Sequence, residues 1–203
     1  MLPLPDRAEL RRRFPRLLVG LVLFGWGIAL MVTANLGLSP WAVFHQGIEN
    51  KTGIPIGTVG IITGLIVLSL WIPLKERFGI GTVTNVIVVG LVVDLTIWAL
   101  PEFTNLELRW TALLAGIFLV GLGTGLYIGV GLGPGPRDGL MTGLAARGYP
   151  LGVVRVGIEL TVLVVGFVLG GTFGVGTVLF SFGIGGLVHV LLPRLRMEPV
   201  AAR

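Results

Sequence analysis

The sequence predicts an all-α membrane protein: six transmembrane helices in two inverted three-helix repeats, each with a short half-helix. Three observations predict it. Long apolar runs fill most of the chain, lysine and arginine gather on one side of those runs, and a set of short motifs recurs in the same order about 95 residues later.

The apolar runs set the class. Of 203 residues, 54% are hydrophobic and only 12% charged, with a mean hydropathy of +0.95. A soluble domain carries roughly 25% charge, so most side chains here must face lipid or one another. The 33 glycines lie inside Leu/Val/Ile runs without a G-X-Y period. That excludes collagen and fits close helix approach in a bilayer. The chain has no cysteine, which excludes disulfides, zinc–thiolate sites and cysteine nucleophiles.

A crossing helix needs about 20 mostly apolar residues. Six segments qualify: 17–34, 57–74, 82–100, 111–130, 153–170 and 175–192. Two apolar stretches, 40–48 and 136–146, are too short to cross. The chain therefore divides into a basic N-terminal segment (1–16), a first repeat (17–100), a linker (101–110), a second repeat (111–192) and a tail (193–203). The N-terminus is basic and then apolar, as in a signal peptide. No small-residue cleavage site ends the run, so it reads as a retained first span.

Orientation follows from the basic residues. With the N-terminus inside, the inner side collects Arg7, Arg11, Arg12, Arg13, Arg16, Lys75, Arg77, Arg137, Arg147, Arg194, Arg196 and Arg203. The outer side collects Lys51 and Arg109, and Arg155 lies within a span. Both termini are thus expected in the cytoplasm of a bacterium, with the linker outside the inner membrane. The net charge of +5 does not point to nucleic acid, because the arginines flank the apolar runs as anchors.

The repeat is read from aligned motifs. NLGLSPWAVFHQGI lies over GLGPGPRDGLMTGL at a spacing of 96. TGIPIG lies over RGYPLG, and FGIGTV over FGVGTV, both at 95. Three spans per copy force the second copy to insert upside down. Inverted repeats are a recurrent plan for secondary transporters, and some channels share it.

Each half holds a short helix at the same place. Ser39 is placed to cap and Pro40 to open the first; Gly135 and Pro136 do so in the second. Thr82 and Thr177, after Gly81 and Gly176, read as starts of the third and sixth spans. The half-helices either dip into the bilayer, turning their N-termini toward a ligand, or lie flat at the interface as links, which would suit Trp41 as an anchor.

LGLSPWAVFHQGI, GIGTVTN with Asp94 downstream, GPRDGLM, R-V-G-I-E and GVGT together resemble the YczE/YyaS/YitT group of bacterial integral membrane proteins, nearest its YczE branch. The likeness runs from Leu17 to Leu192. It implies a multi-pass cell-membrane protein and transfers no functional residue.

Ionisable residues within spans are functional candidates because the membrane makes them costly. Arg155 and Glu159, four apart, share a helix face and can pair. With Arg137 and Asp138 they form a candidate polar site. Arginine would hold an anionic group bidentately, and Glu159 would carry a coupling proton if burial raised its pKa. The alternative is an ion-pair network that pins a half-helix to the fifth span. The counterparts of these four residues are Trp41, Ala42, Gly60 and Gly64, so the charge sits in one half only. Asp94 and His189 match at spacing 95. Asp94 is either a proton site or a residue that reaches the interface or caps a neighbouring helix, and His189 either a weak proton relay or a polar interfacial residue. Ser39, Trp41, His45 and Gln46 are candidates to line the outer mouth.

Two distant histidines without cysteine make no zinc signature. The glycine-rich GLGTG and GLGPGPRDG lack a P-loop lysine. No cofactor, metal or catalytic group is expected, and the chain reads as a non-enzyme. The leading expectation is a small permease for an anionic or zwitterionic metabolite. A passive channel on the same repeats and a non-transporting accessory protein are the alternatives. The lipid bilayer, a small-molecule substrate and a second copy of the chain are the expected partners; exposed small residues would favour the last.

Overall fold

The computed structural model describes residues 6–198. Among them the chain forms eight helices and no strand: α1 (Arg7–Ala34), α2 (Pro40–Thr52), α3 (Ile56–Leu74), α4 (Ile80–Ala99), α5 (Leu106–Gly129), α6 (Pro136–Ala145), α7 (Leu151–Val168) and α8 (Val175–Leu195). All but α2 and α6 are long and apolar enough to cross a membrane. At 1.5 Å per residue, α2 and α6 reach about 20 and 15 Å, well under the ~30 Å hydrocarbon core. Arg203 and the last residues of the tail lie outside the described residues.

Helix ends follow local chemistry. Asp6 caps α1, its carboxylate accepting from the Glu9 amide at 2.8 Å. The helix therefore begins well before the apolar run at residue 17, and its 28 residues span about 42 Å. Residues 7–16 of the basic N-terminal segment are the overhang of a long helix. Ser39 caps α2, accepting from the Ala42 amide at 3.4 Å, with Pro40 at the first position. Gly135 holds the cap position before Pro136 at α6, without a side-chain cap bond.

The third and sixth spans start earlier than the threonine rule indicates. α4 begins at Ile80 and α8 at Val175, with Gly79 and Gly174 at the cap positions. Thr82 and Thr177 stand at the third helical position. Their hydroxyls accept from the amides of Gly79 at 3.2 Å and Gly174 at 3.3 Å. A threonine at this position can reach back to the otherwise unpaired cap N–H. The G-x-G-T pattern thus marks the first turn, not its edge.

The centre of the molecule is an antiparallel pair, α1 against α5, packed backbone to backbone. A methyl added at Gly27 would lie 2.6 Å from the Gly116 carbonyl oxygen, and one at Gly123 would lie 2.5 Å from that of Gly20. Only glycine permits such approach. With little hydrophobic drive between helices in lipid, this packing supplies the association energy. Around this pair, α4 packs on α1 and α8 on α5, α2 sits between α3 and α7, and α6 also bridges α3 and α7.

Contacts recur at positions 95 or 96 apart. Arg109 donates to the carbonyls of Ala34 (2.7 Å) and Asn35 (2.6 Å) at the end of α1. Its counterpart Arg13, 1% exposed, donates to the Val130 carbonyl at the end of α5 at 2.7 Å. Each arginine supplies donors and positive charge to a helix C-terminus whose last carbonyls are unpaired. The Gly81 amide donates to Leu132 O at 2.9 Å, and the Gly176 amide to Leu36 O at 2.8 Å. The loop before each short helix is therefore clasped by a span from the other half.

Candidate functional site: a central polar cavity

A cavity of about 300 Å³ lies where the N-termini of α2 and α6 face each other. Its apolar wall comes from α1, α4, α5 and α8, through residues such as Phe24, Val89, Val120 and Ile184. Arg137, Asp138, Arg155, Glu159, Ser39, Trp41 and His45 all line it.

Each polar side chain has a distinct setting. Arg137 stands at the second position of α6, where helix dipole and free amides already favour an anion. Its guanidinium carbon lies 4.7 Å from the centroid of the Trp41 ring, a cation–π geometry. Among the described residues no carboxylate stands at ion-pair distance from it. Asp138 instead accepts from the Tyr127 hydroxyl at 2.9 Å. Arg155 pairs with Glu159 at 3.0 Å on one face of α7, with side chains 51% and 28% exposed. A four-residue ion-pair network therefore does not form in this arrangement: Arg137 has an aromatic partner and Asp138 a phenolic one.

Trp41 and His45, which line the cavity from α2, are buried within the protein. Trp41 is 7% and His45 5% exposed. Trp41 Nε1 and His45 Nε2 are buried without a hydrogen-bond partner among the described residues. A buried donor or acceptor left unpaired costs about 1–3 kcal/mol, so both atoms are open to a hydrogen bond from a group in the cavity. Trp41 is not an exposed anchor. Gln46 leaves the group altogether: its side-chain oxygen accepts from the Thr172 amide at 2.7 Å, tying α2 to the α7–α8 loop.

Asp94 also stands apart. Its carboxylate accepts from the amides of Gly57 (2.6 Å) and Thr58 (2.8 Å) and from the Thr58 hydroxyl (2.7 Å). It caps α3, whose first residues follow a proline and have no cap of their own. His189 is exposed on α8.

Two cavity-lining residues and one that supports α6 were not singled out in the sequence. Tyr127 orients Asp138, and Asn85 presents its side chain to the cavity. Trp71 packs on Gly139 and donates to the Pro136 carbonyl at 3.0 Å, fixing the start of α6. Asn85 lies in the GIGTVTN motif, and a polar residue inside an apolar run is a usable signal. Tyr127 and Trp71 read as ordinary apolar filling until the fold brings α6 beside them.

Comparison with known proteins shows the family. A family model described as "Family of unknown function (DUF6198)" matches residues 11–193. An uncharacterized protein of Haemophilus influenzae is 43% identical over 87% of this chain and 81% of its own length. The uncharacterized membrane protein YczE of Bacillus subtilis is 30% identical over 93% of this chain and 89% of its own. YyaS of the same organism is 26% identical over 86% and 90%. No solved structure matches. With six apolar helices of spanning length and a match over nearly the whole chain, the protein is a multi-pass helical membrane protein and belongs to the DUF6198 family, with the YczE and YyaS proteins among its relatives.

Proposed function

We propose that the protein is a secondary permease for a small anionic or zwitterionic metabolite, bound in the central cavity. One observation carries this reading: Arg137 offers a guanidinium without a carboxylate partner at a helix N-terminus, facing a cavity with room for a small metabolite. An ionised group inside a membrane protein is costly unless it is paired or used. Arg137 and the α6 amides would take the anionic group. Asp138, held by Tyr127, and Glu159 would orient a cationic group or carry a coupling proton.

The reading includes two inverted halves with both termini cytoplasmic. Its support is the antiparallel α1–α5 pair and the exchange of contacts between positions 95 or 96 apart, such as Arg13 with Val130 and Arg109 with Ala34. In known transporters of this plan, broken or short helices point their N-termini at substrate near the midplane. The facing N-termini of α2 and α6 fit that role.

The test is a thermal-shift screen of detergent-purified protein against a metabolite library, with Arg137→Ala and Glu159→Gln alongside. A ligand at 100 times its Kd adds about 2.7 kcal/mol to stability. An anionic or zwitterionic compound should raise the Tm of the native protein, and the folded Arg137→Ala variant should lose that response. If no compound acts and both variants melt far earlier than the native protein, the cluster is structural and an accessory role replaces transport.

A further inference from the structure

One pair of helices in this molecule is latched, and the pair at the corresponding positions is not. α3 meets α4 so closely that a methyl at Gly90 would lie 2.5 Å from the Gly57 carbonyl oxygen. Asp94 fastens the same seam. The residues 95 positions later are Gly152, Gly185 and His189. A methyl at Gly152 or Gly185 would meet nothing within 4 Å, and α7 and α8 do not pack along their length. Glycine inside a helix costs about 1 kcal/mol relative to alanine. Close packing explains it at Gly90, inside α4, and does not explain it at the aligned Gly185, inside α8, in this arrangement.

Resting on the permease reading above, we propose that α7 and α8 close on each other in a second state. They then make, at Gly152, Gly185 and His189, the seam that α3 and α4 make here, while the α3–α4 seam opens. The cavity is thereby exposed to one side of the membrane at a time. Both helices of the open pair border it, α7 through Arg155 and Glu159 and α8 through Gly185 and Val188, so their approach seals it on that side. α7 is held chiefly at its far end, where Gly166 packs on the backbone of Val43 and Phe44. Gly148 and Gly170, at φ +99° and +98°, flank it and give both connections a backbone conformation that other residues adopt rarely. Closure also moves the Arg155–Glu159 pair from a half-exposed to an enclosed setting, beside bound ligand.

The closed seam can be specified by position. A Cβ at Gly64 would lie 3.6 Å from the Val86 Cβ, and the counterparts of these residues are Glu159 and Ser181. Disulfides need Cβ atoms about 3.5–4.5 Å apart. Thr58 and Asp94, hydrogen-bonded here, correspond to Val153 and His189.

The chain has no native cysteine, so introduced pairs report cleanly. Glu159→Cys with Ser181→Cys, and Val153→Cys with His189→Cys, are oxidised in native membranes and run on gels with and without reductant. An intramolecular, reductant-reversible cross-link in either pair, absent from the single-cysteine variants, is the expected result. The closure is overturned if the thiols of both pairs react with a maleimide, which shows that they are present and accessible, yet neither pair cross-links. The outcome is independent of the ligand screen. A ligand-induced Tm rise without cross-linking leaves a binding site and removes the gate. Cross-linking without any ligand response keeps the motion and removes the proposed substrate class.

Discussion

The seam between α3 and α4 and the gap between α7 and α8 are built from sequence segments that align, yet they differ in almost every contact. In the first, Gly57 and Gly90 bring two backbones together and the Asp94 carboxylate takes three donors from the start of α3. In the second, the aligned glycines face open space, a histidine replaces the aspartate, and two glycines of α3 have become Arg155 and Glu159 on α7. A carboxylate can satisfy free amides at a helix start; an imidazole carries at most one acceptor. The difference teaches that the scaffold is shared and the polar equipment is not. One half supplies a closed wall, and the other supplies charge to the cavity.

Breaking the closed seam should have the largest effect. Gly90→Leu drives a side chain into the Gly57 backbone and should destabilise the protein by about 3 kcal/mol or more. Gly185→Leu, at the aligned position, should stay within about 0.5 kcal/mol. Thermal melts of the two variants in the same detergent check this. Equal losses would mean that α7 and α8 are packed in solution.

The latch comes next. Asp94→Ala leaves amides at the start of α3 without their acceptor and should cost about 2 kcal/mol, while His189→Ala should change the Tm little. Hydrogen exchange at residues 56–60 gives a local readout, with protection falling in the first variant only. A silent Asp94→Ala would remove the capping role.

The smallest stability effect should come from the charged pair. Glu159→Gln breaks an ion pair whose arginine is half exposed, a class worth about 0–1 kcal/mol. Its Tm should stay near that of the native protein while ligand response changes. A large loss would show that the pair holds α7 in place.

Much of this molecule was legible as a string. The apolar runs announced six long helices, and Ser39-Pro40 and Gly135-Pro136 announced two short ones, because cap and proline chemistry is local. Arg155 and Glu159 were expected to meet because four residues make one helical turn. Other features were not legible. Thr82 and Thr177 act one turn inside their helices, since a hydroxyl at the third position can serve a cap formed by glycine. Arg13 and Arg109 read as topology charges, yet both cap the C-termini of helices distant in sequence. Gln46 read as a companion of His45, yet its partner is Thr172.

Composition and period by themselves determined that this chain is a helical membrane protein with repeated motifs, because hydropathy, caps and spacing act through neighbours in sequence. Only the tertiary structure decided which charges stay unpaired. Whether Arg137 meets a carboxylate or the Trp41 ring depends on how α2 and α6 approach, and that is set by backbone-to-backbone packing of α1 on α5 and by clasped loops from opposite halves. Such contacts join residues about a hundred positions apart, and no local preference of the chain encodes their distance.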